Sequence, residues 1–369
     1  MLKTLLCTKI KLNTSKGAIS LKFSLILRPL IPSNKIFKTQ HMTNKLNPIR
    51  IGIVGYGNLG KGVEYAIAQN PDLELVAIFT RRSPSSIQTT SKVIALDQVL
   101  DYKGKIDVMI LCGGSSTDLP EQVLQLATHF NTVDSFDNHG EIPAYFEKVN
   151  QCAKANQTLS LISTGWDPGL FSMLRLLGET ILPQGETYTF WGKGLSQGHS
   201  DAIRRLAGVK NGVQYTLPIE QALEQVRAGK NPTFTAAEKH QRVCYVVAEE
   251  GANLQQIEQA IKTMPNYFEP YDTTVHFITE EELKLNHSAM PHGGFVLRSG
   301  ETGNANQQHL EFSLKLESNP EFTASVLVAF TRAIAKMAQE GQTGAKTVFD
   351  IPLGFLSPKS AEELRAALL

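Results

Sequence analysis

Short, unbroken apolar runs alternate with stretches of helical periodicity through the first half of the chain. Ile49 to Val54, Leu73 to Phe79, Ile106 to Leu111, Thr132 to Phe136 and Leu159 to Ser163 each read as a strand buried on both faces. Helical stretches fall between them: one ending near Asn70, then Pro120 to Phe130 and Ile142 to Ala155. Such alternation predicts a doubly wound parallel sheet, which binds its ligands beyond the carboxyl ends of the strands. From about Asp167 the texture changes. A helix over Pro168 to Leu182 precedes longer strand candidates at Thr187 to Trp191, Val213 to Leu217, Arg242 to Val247, Thr274 to Ile278, Phe295 to Arg298 and His309 to Leu316. Helices are expected among these at Ser200 to Leu206, Glu220 to Ala228 and Leu254 to Thr263. This half predicts an α+β domain with an open mixed sheet, placed before a long helix from about Glu321 to Gln339 and a short closing helix, Ser360 to Leu368.

The first strand runs into Gly55-Tyr56-Gly57-Asn58-Leu59-Gly60 and then a helix and a second strand. In that context G-x-G-x-x-G is a dinucleotide signature. Gly55 permits the tight turn, Gly57 lets a pyrophosphate approach the backbone, and Gly60 allows close helix–strand packing. Free N–H groups at the helix start receive the pyrophosphate. The second strand ends in Thr80-Arg81-Arg82-Ser83, with no carboxylate for the ribose hydroxyls of NAD. Two guanidiniums suit an extra 2′-phosphate, so the predicted cofactor is NADP. Gly113, Ser115, Ser116 and Thr117, beyond the third strand, join the cofactor side, and parallel topology brings Asp137 and Asp167 to the same edge.

Charge is nearly balanced, 36 basic against 35 acidic side chains, but unevenly spread. Residues 1–41 hold eight basic residues and no acid, which leaves 28 basic against 35 acidic for the rest. An acidic body disfavours nucleic acid or an anionic membrane as partner. Four scattered cysteines (Cys7, Cys112, Cys152, Cys244) without C-x-x-C spacing suggest reduced thiols and a cytoplasmic enzyme. The histidines lack metal spacing with cysteine or carboxylate partners, so no metal is expected. The basic head reads either as a targeting segment or as an extension ahead of a true start at Met42.

Three further clusters crowd glycine, histidine and hydroxyl residues into turns: Trp191 to Asp201 (WGKGLSQGHSD), Val213 to Pro218 (VQYTLP) and Met290 to Gly294 (MPHGG). Together with Val54 to Gly60, Asp134 to His139 (DSFDNH) and Ser163 to Gly169 (STGWDPG), they resemble the meso-diaminopimelate dehydrogenases, in the same order over essentially all of 49–369. Even Met42-Thr43-Asn44 resembles the family's own beginning. The resemblance implies an α/β protein: a doubly wound Rossmann-type dinucleotide domain with an inserted α+β substrate and dimerisation domain. The expected division is a basic extension (1–47), an NADP-binding domain (48–166), a substrate and dimerisation domain (167–320) and a C-terminal helical segment packing back on the core (321–369). It further implies a homodimer that oxidatively deaminates the D-centre of meso-2,6-diaminopimelate with NADP.

On that likeness Asp137 and Asp167 hold the reacting amino group and are the candidates for catalytic acid–base work, with His199 a weaker one. Trp166, Gln197 and Gly198 shape the reacting end, with Asp201 nearby. Thr216, Arg242 and His292 form a carboxylate clamp at the far end, where Trp191 and Asn319 add contacts. An arginine fork is a strong carboxylate receiver, and a hydroxyl and an imidazole complete its hydrogen bonds. Simpler roles stand beside these. Lone histidines are usually structural, Arg242 opens a strand and could be a solvated edge residue, and tryptophans pack cores. Two rival functions remain: another NADP oxidoreductase of similar build, or a non-catalytic NADP sensor.

Overall fold

The computed structural model describes residues 47–265 and 267–369. The basic head, apart from Asn47, lies outside the described residues, and so does Met42. The strands are β1 (Ile49–Val54), β2 (Leu73–Thr80), β3 (Val93–Ala95), β4 (Val108–Leu111), β5 (Asn131–Asp134), β6 (Leu159–Leu161), β7 (Gly185–Trp191), β8 (Gly194–Leu195), β9 (Val209–Pro218), β10 (His240–Ala248), β11 (Asp272–Phe277), β12 (His292–Thr302), β13 (Asn306–Leu316) and β14 (Gly344–Lys346). The α-helices are α1 (Asn58–Ala68), α2 (Leu119–Ala127), α3 (Ile142–Ala155), α4 (Leu170–Ile181), α5 (Gln197–Arg204), α6 (Glu220–Arg227), α7 (Ala236–Lys239), α8 (Leu254–Lys262), α9 (Glu280–Asn286), α10 (Asn319–Gln339) and α11 (Ala361–Leu368).

Seven strands form one sheet in the order β14-β6-β5-β4-β1-β2-β3, and every pairing in it is parallel. Both faces are covered, as the unbroken apolar runs demand. Ile51, Ile53, Ile110 and Val133 meet Val63 and Ile67 of α1 and Leu327, Phe330 and Ile334 of α10 on one side. Val54, Phe79, Met109 and Leu111 meet Val123 of α2 and Tyr145 and Val149 of α3 on the other. Because the strands run the same way, the turns after β1, β2, β4, β5 and β6 all emerge at one edge. β3 and β14 are only three residues long, too short for periodicity to reveal. β5 stops two residues before the expected Phe136, because the Asp134 carboxylate accepts the Phe136 N–H at 3.0 Å and turns the chain.

The second half holds two sheets where one was expected. β13-β12-β7 is antiparallel, while β11-β10-β9-β8 is mixed. The switch occurs after β7: Trp191 pairs with Gly294 in one sheet, and Gly194, three residues on, pairs with Thr216 in the other. α10 then returns over the parallel sheet and is locked there by Arg332. That buried guanidinium grips Asp72 at 2.5 and 2.9 Å and Asn70 at 2.8 Å. The lock sets the amino end of α10, and with it Asn319, at the edge where the strand-end turns emerge.

Candidate active site

Gly55 adopts a φ of +91° at the end of β1, a conformation that favours glycine. A side chain on Gly60 would strike the Gly55 carbonyl, whereas the space around the Gly57 Cα is open, with nothing within 4 Å of where a Cβ would stand. Asn58, Leu59 and Gly60 begin α1 with no acidic residue in the first turn. An anion can therefore come up against the helix start, which fits a pyrophosphate. Tyr56 is 5% exposed and its hydroxyl donates to Glu64, so its side chain turns into the protein. Glu64 also accepts Thr89 and Ser91, which fastens the loop after β2 to α1. Arg81 and Arg82 are both exposed at the end of β2. Arg82 reaches the Tyr56 carbonyl at 2.5 Å, and Arg81 pairs with Asp118 at 2.7 Å. Thr80 is buried, its hydroxyl accepting the Arg82 N–H at 3.1 Å. In the turn after β4, the Asp118 carboxylate holds the Gly114 N–H at 3.0 Å, and Gly113, Ser115, Ser116 and Thr117 follow one another along that rim.

The two expected carboxylates differ in kind. Asp137 is exposed beyond β5 and makes no side-chain hydrogen bond or ion pair among the described residues; its N–H donates to Ser115 Oγ at 3.1 Å. The Asp167 side chain is 2% exposed, with Oδ1 paired to Arg175 at 2.7 Å and Oδ2 accepting the Trp191 indole N–H at 2.6 Å. Beneath both lies Asp134. Its carboxylate accepts the Phe136 and Ser163 N–H groups and the Tyr145 hydroxyl, so it ties the Asp137 turn to the Asp167 turn. Burial outweighs those bonds and pushes its carboxyl up to about 6. Trp166 donates from its indole to Asn319 Oδ1 at 2.8 Å and lies 4.8 Å, ring to ring, from His292. Gln197 and Gly198, both exposed, open α5 three residues earlier than expected, because Ser196 accepts the Ser200 N–H at 3.0 Å and starts the helix there. Asn58 of the nucleotide turn and Gln197 both donate to the Met290 sulfur, at 3.6 and 3.5 Å, so the two halves meet at one side chain. Asp201 is exposed and paired with Arg204.

Arg242 and Thr216 are direct partners across β10 and β9, and Arg242 Nη1 donates to the Thr216 hydroxyl. Arg242 is 5% exposed, so it is no solvated edge residue. It stacks on the Tyr271 ring at 3.9 Å, yet no carboxylate among the described residues pairs with it, and its Nε is buried without an acceptor. An uncompensated buried cation is costly, and an incoming anion relieves that cost. Three imidazoles lie within range of its charge. Burial first, and Arg242 second, hold His199 down to about 4 and His240 to about 3. Burial, with a smaller contribution from Arg242, also lowers His292, while its bond with the Gly293 backbone and the Asp167 charge act in the opposite direction. All three rings are neutral at pH 7 and serve as hydrogen-bonding groups.

Residues 165–318 match the family described as the diaminopimelic acid dehydrogenase C-terminal domain. A meso-diaminopimelate D-dehydrogenase from Ureibacillus thermosphaericus is 63% identical over 326 residues, covering 88% of this chain and 100% of that one. The chain belongs to the meso-diaminopimelate D-dehydrogenase family. Among solved structures, the Corynebacterium glutamicum DAP dehydrogenase in complex with DAP is 45% identical, with a TM-score of 0.84 over 88% of this chain and 100% of that one. An engineered D-amino acid dehydrogenase bound to NADP+ is 44% identical, with a TM-score of 0.81 over 87% and 100%. Within this family frame, sequence pattern assigned no role to Arg175 or Asp118, nor to Asp134 and Gln214, which stand inside the quoted motifs. Arg175 carried a usable signal, since it lies in the helix directly after the Asp167 turn, and so did Gln214, whose side-chain partner Thr216 is two residues on in the same strand. Asp118 and Asp134 also bond Gly114 and Phe136 close by, but their links to Arg81 and to Ser163 and Tyr145 follow only from the fold. Among the described residues no helix is long and apolar enough to cross a membrane.

Proposed function

We propose that the protein is an NADP-dependent meso-diaminopimelate dehydrogenase. It oxidatively deaminates the D-centre of meso-2,6-diaminopimelate to L-2-amino-6-oxopimelate and ammonia, reversibly, in the dehydrogenase route to lysine. The single observation that carries this reading is Arg242: a buried cation without a carboxylate partner among the described residues, hydrogen-bonded to Thr216, in the same site as two carboxylates of different character. A substrate with an ammonium and a carboxylate at each end answers that arrangement. Its far carboxylate meets Arg242, Thr216 and His292, with Trp191 and Asn319 beside it. Its reacting ammonium meets Asp137 and Asp167, within a wall made by Trp166, Gln197 and Gly198.

Arg81 and Arg82 would hold the 2′-phosphate of NADP, and the start of α1 at Gly57 to Gly60 its pyrophosphate, with Gly113 to Thr117 along the rim. When bound, NADP supplies the acceptor for the hydride leaving the D-carbon. Asp137, unpaired and exposed, takes the amine proton, and water then hydrolyses the resulting imine to ketone and ammonia. Asp167 is held in place through Oδ1 by Arg175 and through Oδ2 by the Trp191 indole; with the remaining lone pairs of those oxygens it steadies the ammonium. Both ends of the substrate are chemically alike, so holding the far end is what orients the D-hydrogen. Residues 48–166 form the nucleotide domain in this reading, 167–320 the substrate and dimerisation domain, and 321–369 the returning segment of a cytoplasmic homodimer.

NADPH formation followed by absorbance with the meso, LL and DD isomers, and with NAD in place of NADP, tests the assignment. Turnover confined to the meso isomer with NADP is the expected result. No turnover of any isomer would remove the assignment, and equal use of NAD would remove the role given to Arg81 and Arg82.

A further inference from the structure

Gln214 lies two residues before Thr216 in β9, so both side chains project from one face of the strand. It is completely buried, and its Nε2 donates to Thr216 Oγ1 at 3.3 Å. Arg242 Nη1 donates to the same oxygen. A threonine hydroxyl offers two acceptor sites and one proton. With both sites filled by N–H donors, the proton is left to point at a third group, and no described residue accepts it. Arg242 Nε–H is buried and equally without an acceptor, and Gln214 Oε1 is buried without a donor. Two unused donors beside one unused acceptor suit a carboxylate that has an N–H group next to it.

We infer that Gln214 is the positioning residue that sets the polarity of the far-end clamp: by filling the second acceptor site of Thr216 it obliges the hydroxyl to donate, and so selects a substrate with a carboxylate there. The backbone of Gln214 serves the other end. Its N–H donates to Ser200 Oγ at 3.0 Å and its carbonyl accepts the Ser196 N–H at 3.0 Å, which brackets the Gln197-Gly198 turn. One buried strand residue thereby joins the clamp to the turn at the reacting end. The inference rests on the substrate reading given under Proposed function.

The test uses the full-length enzyme and compares Gln214→Met, Gln214→Glu, Thr216→Val and the Gln214→Met/Thr216→Val double variant. Gln214→Met keeps the volume and removes the donor, while Gln214→Glu reverses the polarity, since its carboxylate accepts the Thr216 proton and draws the Arg242 charge. Expected are a rise in KM for meso-diaminopimelate of about 10-fold for Gln214→Met and about 100-fold for Gln214→Glu, the range set by hydrogen bonds to charged groups. NADPH affinity should stay within about twofold, which a folding defect would not allow. In the Thr216→Val background the Gln214→Met effect should vanish, because its target is gone. An unchanged KM in both single variants, or a Gln214→Met effect of full size without the hydroxyl, would overturn the inference. Should the wild type turn over no isomer, it is the substrate reading that fails; the clamp is then probed with pimelate, whose binding must still weaken in Gln214→Glu for the polarity argument to survive.

Discussion

Trp191 and Asp167 are joined by a 2.6 Å hydrogen bond from the indole N–H to Oδ2, and Arg175 closes the other carboxylate oxygen at 2.7 Å. A carboxylate held in this way is fixed in place, whereas Asp137 carries no such partners among the described residues. The two aspartates should therefore fail differently. Asp137→Asn is expected to lower kcat by roughly 10²–10⁴, the usual worth of a general base, with thermal stability unchanged. Asp167→Asn should raise KM for the substrate and lower the melting temperature, since it strands a partly buried Arg175. Steady-state kinetics with parallel thermal melts would decide, and the reverse allocation would move the base to Asp167.

Arg242→Met should weaken meso-diaminopimelate use by about 100-fold or more, the loss expected for a desolvated charge pair. NADPH binding should be unaffected. Stability should hold or rise, because the substitution removes a buried cation with no counter-ion among the described residues. Kinetics, NADPH titration and denaturant midpoints check the three parts; a marked loss of stability would show that the guanidinium is structurally balanced by something other than substrate.

Replacing both Arg81 and Arg82 by Ala should reduce the preference for NADP over NAD by about 100-fold, two charge-assisted phosphate contacts being lost. KM for the amino substrate should move little. Asp118→Asn frees Arg81 from its 2.7 Å ion pair and should shift NADP affinity by less than the arginine removals. A cofactor preference that survives the double replacement would sink this assignment.

His240 gives the acid side of the stability profile a definite sign. Its Nε2 accepts the Trp191 N–H at 2.8 Å, and burial with the Arg242 and Lys239 charges holds its pKa down to about 3. The unfolded imidazole titrates near its ordinary value, so below about pH 6.5 the unfolded state binds the proton and the folded state resists it. The stability contributed by the neutral ring is whole above that pH and falls as pH drops toward 3, by about 1.4 kcal/mol per unit. Protonation also ends the bond to Trp191 that steadies Asp167. His240→Gln, which can still accept, should flatten the decline in urea midpoints between pH 6.5 and 4.5 relative to wild type. Parallel slopes in the two proteins would count against it.

Much of the nucleotide half was legible because its information is local. Apolar runs, glycine spacing and the order of strands and helices follow from neighbours in the chain, and parallel topology then carries Arg81, Asp137 and Asp167 to one edge without any knowledge of contacts. The second half was less legible. Its two sheets are separated by a turn over Gly192 and Lys193 that leaves no periodic trace, and β14 is too brief to announce itself before it joins the first sheet.

The sequence by itself determined the strand–helix order, the dinucleotide turn and the residue types that a zwitterionic substrate needs. Only the tertiary structure decided which of those charges are free. Arg175 pairs with Asp167, Tyr56 turns inward to Glu64, and Asp118 reaches Arg81 from another strand end, while among the described residues Arg242 is left buried without a carboxylate. Pairing depends on through-space distance between groups far apart in the chain, as between Trp166 and Asn319, 153 residues away. Local pattern carries no record of that distance, and it is what separates a carboxylate with partners from one without.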